Sequence, residues 1–300
     1  MLQTYGARRP WRNVRIREDG PRLLWTSPNR CARDSRFDAW IAARRCATVR
    51  AVDDPTRRVA LVTGAASGIG RAIAAAFEAA GHDVLAVDLA PDDDGPGVAF
   101  GADLCDREAN RDAVAAAVER FGRLDVVVAG AGVQHVAPVA DFPEDAWDRL
   151  ITLMLTSPFL LAKYAWPHLQ ASPDARFQVI ASAHALAASP FKAAYVAAKH
   201  GALGLVRTLA LEGAGDGITA VAICPGYVRT PLVERQIEAQ AQAHGISAER
   251  VLEEVILAPH AVKRLIEPDE VAAFSLFLAG PGGRSFTGVP LLMDQGWTAR

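Results

Sequence analysis

Tyr195 and Lys199 lie four residues apart in Ala-rich, helix-favouring sequence, so both side chains leave the same face of a helix. Ser182 ends the apolar run Phe177-Gln-Val-Ile-Ala-Ser, which reads as a buried strand. A phenol beside an ammonium is expected to have its pKa lowered, because the nearby positive charge favours the phenolate. Such a tyrosine gives or takes a proton near neutral pH, while a serine hydroxyl across the pocket holds the substrate oxygen. Lysine is scarce: only Lys163, Lys192, Lys199 and Lys263 occur, and two of them fall within residues 192–199. An ordinary surface helix carrying an unrelated Tyr and Lys is the competing explanation, and the rest of the chain weighs against it.

These residues need elements to position them. Val59-Ala-Leu-Val-Thr63 is a short apolar run, followed at once by Gly64-Ala-Ala-Ser-Gly68-Ile-Gly70 and an Ala-rich helix to about Ala80. Strand, glycine turn and helix in that order place a pyrophosphate on free N–H groups at a helix N-terminus. The next apolar run, Asp83-Val-Leu-Ala-Val-Asp88, ends in a carboxylate eighteen residues after Gly70. A carboxylate there accepts hydrogen bonds from ribose hydroxyls and repels a 2′-phosphate, which argues for NAD over NADP. Asp103 follows a third apolar stretch and is read either as an adenine contact or as a helix N-cap.

Leu124–Ala129, Arg176–Ala181, Ile218–Cys224 and Val289–Met293 continue the strand pattern between helical segments. This alternation predicts an α/β fold, a single doubly wound parallel sheet with helices on both faces. No second core and no internal repeat is needed.

The chain of 300 residues has a formal net charge of −2, so nothing global points to nucleic acid or a membrane surface. No apolar run is long enough to span a bilayer. Residues 1–57 carry an Arg excess and no lysine, with isolated Trp11, Trp25 and Trp40 and no sustained periodicity. A targeting presequence, a nucleic-acid-binding arm and a disordered extension compete for that segment, and the extension is the preferred reading. Cys31, Cys46, Cys105 and Cys224 have no metal-ligand spacing, so no metal is expected and reduced thiols in a cytoplasmic protein are the default.

Over essentially all of 58–300 the residues resemble the short-chain dehydrogenase/reductase family. The general motifs are Thr63–Gly70, Ser182, Tyr195-x-x-x-Lys199 and Cys224-Pro-Gly-Tyr-Val-Arg-Thr-Pro231. Val133-Gln-His-Val136, Ala181-Ser-Ala-His184, Ala188–Gly201, Thr230–Gln236 and Gly296-Trp-Thr-Ala299 are most similar to its bacterial D-3-hydroxybutyrate dehydrogenase branch.

The resemblance implies Tyr195 as general acid/base, Ser182 orienting the reacting oxygen, and Lys199 lowering the tyrosine pKa while binding nicotinamide ribose. For the NAD cofactor it implies Thr63, Gly64, Ser67, Gly68, Ile69 and Gly70 in the glycine loop. Further along it implies Asp88, Asp103, Leu104, Ala131 and Gly132, and then Pro225, Gly226, Val228 and Thr230. Gln134, His184, Lys192 and Gln236 would recognise the substrate carboxylate, with Trp297 closing the pocket. The implied reaction is the reversible oxidation of (R)-3-hydroxybutyrate to acetoacetate by a homotetramer.

The residue chemistry agrees, since a small 3-hydroxy acid needs a cation and neutral donors a short distance from its alcohol. Lys192, three before Tyr195, would sit on an adjoining face of the same helix, and His184 would share a strand face with Ser182. Each has a plainer alternative as a solvated lysine, a loop histidine or a surface glutamine, and Trp297 as an interface residue. Residues 231–265 are helical by pattern and read as a substrate lid.

The chain departs from the family in three places. Ala129-Gly-Ala-Gly132 replaces Asn-Asn-Ala-Gly, Tyr227 replaces a tryptophan of the lid, and Met154 replaces an active-site asparagine. Gly130 is expected to loosen the backbone. Losing the asparagine side chain is expected to remove hydrogen bonds that fix the local helix bend, slowing the reaction without abolishing it. Two other readings compete. One is a reductase of another small ketone or a 3-oxoacyl thioester; the other is a dehydrogenase-like protein that binds NAD without turnover.

Overall fold

Short runs rich in valine, isoleucine and alanine become strands, and glycine and proline punctuate them. In the computed structural model, which describes residues 57–299, the strands are Val59–Thr63 (β1), Asp83–Asp88 (β2), Val98–Gly101 (β3), Val126–Ala129 (β4), Arg176–Ile180 (β5), Thr219–Pro225 (β6) and Pro290–Met293 (β7). They form one seven-stranded sheet in the order β3-β2-β1-β4-β5-β6-β7. Every pairing is parallel, with Leu61 opposite Leu85 on one side and Val127 on the other. A parallel sheet covered on both faces needs apolar residues on both faces, and β1, β4 and β5 are buried at every position.

The helices are Gly68–Ala79 (α1), Arg107–Phe121 (α2), Glu144–Ile151 (α3), Ser157–Ala171 (α4), Ala193–Gly213 (α5), Pro231–His244 (α6), Ala248–Val251 (α7) and Pro268–Ala279 (α8). Ile73 and Phe77 of α1 and Val271 and Leu278 of α8 cover one face of the sheet. Val114 of α2, Leu161 and Leu169 of α4, and Leu203 and Val206 of α5 cover the other. The strand order reverses between β1 and β4, which opens a crevice beyond their carboxyl ends.

The ends of β4 to β7 differ by one or two residues from the sequence expectation, and at β4 Asp125 gives the reason. Its buried carboxylate accepts hydrogen bonds from the Val59 N–H at 2.8 Å, Arg123 and the Ser172 hydroxyl at 2.6 Å. Burial alone would raise its pKa, but those donors hold it below the ordinary carboxylate value. The residue ties β1 to the chain entering β4 and β5 rather than opening a strand. The N-cap of α2 is Asp106, not Asp103, whose carboxylate accepts the Cys105 N–H at 3.0 Å. Asn110, the folded part's one asparagine, is fully buried and bonds to Leu104 O, Asp106 O and the Ser157 hydroxyl.

The extension assigned to residues 1–57 lies outside the described residues except for Arg57. That residue belongs to the folded part, through an ion pair with Asp83 at 3.0 Å. Among the described residues no helix is long and apolar enough to cross a membrane.

Candidate active site

The glycine loop turns sharply because Gly64 and Gly68 take positive φ, +73° and +53°. A Cβ on Gly70 would fall 2.1 Å from Gly64 O, so only glycine lets α1 approach the loop this closely. Ser67 is the α1 N-cap, yet its side chain caps nothing, and the first turn carries no acid. The leading N–H groups of α1, with Ile69 beside them, therefore face the crevice without a capping side chain of their own, as a pyrophosphate site requires.

Thr63 departs from the expectation of cofactor contact. Its hydroxyl is buried and accepts the Gly130 and Ala131 N–H groups at 3.0 and 3.1 Å. The threonine positions the β4 end, and Gly130 is pinned rather than loose: a Cβ there would lie 2.8 Å from Thr63 O. Leu104 likewise packs its side chain into the core, leaving only backbone for a ligand. Asp88 stands at the end of β2 beside the loop, its carboxylate accepting the Ala66 and Ala90 N–H groups at 3.0 and 3.2 Å.

Across the crevice, β6 ends at Pro225 with Gly226 following it, and Val228 forms a parallel bridge with Ile266. The bridging bonds run from Ile266 N to Tyr227 O and from Arg229 N to Ile266 O, so they use the neighbours of Val228 and not Val228 itself. Thr230 caps α6 through the Val233 N–H at 3.4 Å, and its methyl lies close to Gly68.

Ser182 lies two residues beyond β5, where the strand has already given way to a 3-10 turn, Ala183–Ala185. Its Oγ accepts the His184 N–H at 3.2 Å and lies 3.3 Å from His184 Nδ1. The contact expected from a shared strand face is thus made by a turn. Lys199 is buried on α5, its Nζ donating to Ile180 O at 2.7 Å and lying 5.4 Å from the centre of the Tyr195 ring.

The lowered tyrosine pKa expected from the sequence is reversed in this pocket. Burial pushes Tyr195 up to about 12, against a smaller opposing effect from a Ser182 hydrogen bond, and pushes Lys199 down to about 8. Lys199 is buried and Tyr195 half-buried, and desolvation of the charged form is the largest influence on each. Met154 packs beside Tyr195 with Leu150, Ala194 and Ala198. It lies in a π-helical turn, Thr152–Thr156, joining α3 to α4, so the bend persists without an asparagine side chain.

Gln134, Ser182, His184, Lys192, Tyr195, Gln236 and Trp297 all line one cavity of about 60 Å³. Sequence reasoning left Leu232 and Val233 out of this wall and noted Tyr227 only as a departure. The periodicity of the helix that follows Thr230 was the signal available for the first two. Lys192 does not reach the pocket from a helix turn. It is the N-cap residue of α5, preceded by Phe191 in a left-handed conformation with φ +66°. Its buried side chain donates from Nζ to the Tyr227 hydroxyl at 3.1 Å, so it is not a solvated lysine. Burial, reinforced by the charge of Lys192, brings His184 down to about 4, which leaves a neutral ring at pH 7. That ring lies 4.9 Å from Trp297. The Gln134 side-chain oxygen is buried and has no partner in the pocket wall.

A family model described as enoyl-(acyl carrier protein) reductase matches residues 64–298. A protein of Rhizobium meliloti named D-beta-hydroxybutyrate dehydrogenase is 43% identical over 256 residues, 81% of this chain and 99% of that protein. One of the same name from Cupriavidus necator is 40% identical over 254 residues, covering 81% and 98%. The ligand-free structure of Thermoplasma acidophilum aldohexose dehydrogenase superposes with a TM-score of 0.77 at 28% identity, over 82% of this chain and 96% of that one.

Proposed function

The chain belongs to the short-chain dehydrogenase/reductase family, and from that premise we propose that it oxidises (R)-3-hydroxybutyrate to acetoacetate reversibly with NAD. The observation that carries this reading is the convergence of Lys192, His184, Gln134 and Gln236 on the same small cavity as Ser182 and Tyr195. A cation and three neutral polar groups a short distance from a proton donor match a carboxylate placed one carbon from an alcohol.

Bound in the crevice, a nicotinamide supplies the carbon that accepts or returns hydride. The residues present fit it: the open N-terminus of α1 for the pyrophosphate, Asp88 for the adenosine ribose and Val228 backbone beside the pocket. Ser182 holds the substrate oxygen, and Tyr195 takes its proton in oxidation and returns it in reduction. Lys199 stands under the tyrosine ring and sustains positive charge there. We read residues 231–265 as a lid. It presents Leu232, Val233 and Gln236 to the cavity and has a small apolar core of its own around Ile237, Val251 and Ile256. Closure over substrate would exclude water from the reacting carbon. A homotetramer remains part of the proposal by family likeness.

The preference for NAD rests on Asp88 and on the neighbouring acids Asp92, Asp93 and Asp94. Arg71 is paired with Asp92 at 3.1 Å. Asp88→Asn keeps the side-chain shape and removes the charge that repels a 2′-phosphate. A charge-assisted hydrogen bond of about 2 kcal/mol predicts a shift of roughly 30-fold in the NAD-to-NADP ratio of kcat/KM, read from steady-state rates with each cofactor.

The direct test is NADH absorbance with the R and S enantiomers of 3-hydroxybutyrate and other small hydroxy acids, each with NAD and with NADP. Signal with the R enantiomer and NAD is expected. Silence toward every hydroxy acid, with measurable NAD binding, would replace this reading with that of a nucleotide-binding protein without turnover.

A further inference from the structure

A 3-hydroxy acid carries its reacting carbon between two unlike ends, a carboxylate on one side and an alkyl group on the other. A pocket that fixes the carboxylate therefore also limits the alkyl end. With the polar side chains assigned to the carboxylate and the reacting oxygen, the cavity wall left for the alkyl end is Gly226, Tyr227, Leu232, Val233 and Trp297. Four of these five are committed elsewhere. The Tyr227 hydroxyl accepts from Lys192 Nζ at 3.1 Å, and the Trp297 ring lies 4.9 Å from His184, so both stand at the carboxylate end. Val233 is buried with Ile237 in the apolar core of the 231–265 segment. Gly226 offers only backbone, and a Cβ there would fall 3.2 Å from Asp294 Cα.

Leu232 remains. It is half-buried, and among the described residues it joins none of the apolar cores. Pro231 starts α6, and the Thr230 side chain caps it by accepting the Val233 N–H, so Leu232 is fixed in the first turn. Gln236 follows four residues later on the same face, about 6 Å along the axis. The helix thus presents one apolar and one polar side chain to the cavity, at a spacing close to the length of a four-carbon acid.

We propose that Leu232 closes the alkyl end of the pocket and sets an upper limit of four carbons on the straight-chain 3-hydroxy acids that react. The proposal rests on the reading of this pocket as a 3-hydroxy acid site and adds the residue that decides chain length. The cavity is small, about 60 Å³. With the carboxylate held at Lys192 and the alcohol carbon at Tyr195, a fifth carbon has to displace the Leu232 side chain or draw the carboxylate off its donors. One methylene too many or too few in an apolar pocket changes kcat/KM by about 10- to 200-fold.

The test is kcat/KM for the (R)-3-hydroxy acids of four, five and six carbons on wild type, Leu232→Ala and Ile237→Ala. Wild type is expected to lose at least about tenfold at the fifth carbon. Leu232→Ala shortens the wall and should raise the ratio of five-carbon to four-carbon rates by at least about tenfold. Ile237→Ala thins the core of the segment and not the cavity wall, so it should lower all three acids alike. An unchanged ratio in Leu232→Ala would overturn the proposal, as would a wild type that takes five carbons as well as four. So would an equal shift in Ile237→Ala, because looseness of the segment and not the bulk of Leu232 would then set the limit. Butyrate, pentanoate and hexanoate cannot react. Their dissociation constants with NADH bound, read by calorimetric titration, should follow the same order in wild type and the same shift in Leu232→Ala. That comparison decides the matter even when no hydroxy acid turns over, an outcome that refutes the dehydrogenase reading alone. Failure of all three carboxylates to bind overturns both.

Discussion

Tyr195→Phe is expected to lower turnover by roughly 10²- to 10⁴-fold while leaving the NAD dissociation constant within about twofold of wild type. The substitution removes one oxygen from the ring that lies over Lys199 and against His184, and the ring contacts at 5.4 and 5.7 Å are retained. Kinetics with (R)-3-hydroxybutyrate and a fluorescence titration with NAD separate the two quantities. An equal loss of NAD affinity would show that the hydroxyl serves binding rather than proton transfer.

The same pair predicts a pH dependence. At pH 7 Tyr195 stands as the neutral phenol, pushed up to about 12, and Lys199 as the ammonium, with a value of about 8. That is the proton-donating form, suited to protonating a ketone. Lys199 loses its charge as pH rises through about 8, so acetoacetate reduction should decline across that range. Oxidation, which releases a proton, is favoured by rising pH until the ammonium is gone. A reduction rate that does not decline between pH 7 and 9 would contradict this assignment.

Lys192→Met is the second large effect. A buried ammonium making a charge-assisted bond to a substrate carboxylate contributes about 2–3 kcal/mol. Its loss predicts a rise of roughly 30- to 150-fold in KM for the hydroxy acid, with a much smaller change in kcat. Methionine approximates the length of the aliphatic stem, so the wall beside Tyr227 stays filled. A neutral secondary alcohol of similar size, oxidised slowly by wild type, should be oxidised equally slowly by the variant. If both substrates suffer alike, Lys192 holds the pocket together and does not recognise charge. Tyr227→Phe should give the same pattern on a smaller scale, about fivefold, because a neutral hydroxyl donates a weaker bond to the carboxylate.

Much of this molecule is readable before folding is considered. The parallel sheet follows from short apolar runs alternating with helical segments, and β1 and β2 begin and end where the residues alone place them. The glycine loop and Asp88 are local in sequence, so their spacing already implies strand, turn and helix. Tyr195 and Lys199 share a helix face because the helical repeat is a local property.

Only the tertiary structure decided the features that depend on distant segments or on exclusion of water. Lys192 enters the pocket from an N-cap after a left-handed Phe191, and it meets Tyr227 of a different loop. His184 reaches Ser182 through a 3-10 turn, because β5 stops at Ile180. Thr63, matched to a cofactor motif, is buried against Gly130 and Ala131 and serves the scaffold. The direction of the Tyr195 shift was read wrongly from sequence, since the charge of Lys199 is visible in the chain whereas the desolvation that raises the phenol arises only when α5 packs at the carboxyl end of β5. The sequence by itself determined which residues can exchange protons and bind phosphate, through residue type and short-range periodicity. Which of them share a cavity, and in which protonation state, was decided by packing between segments far apart in the chain.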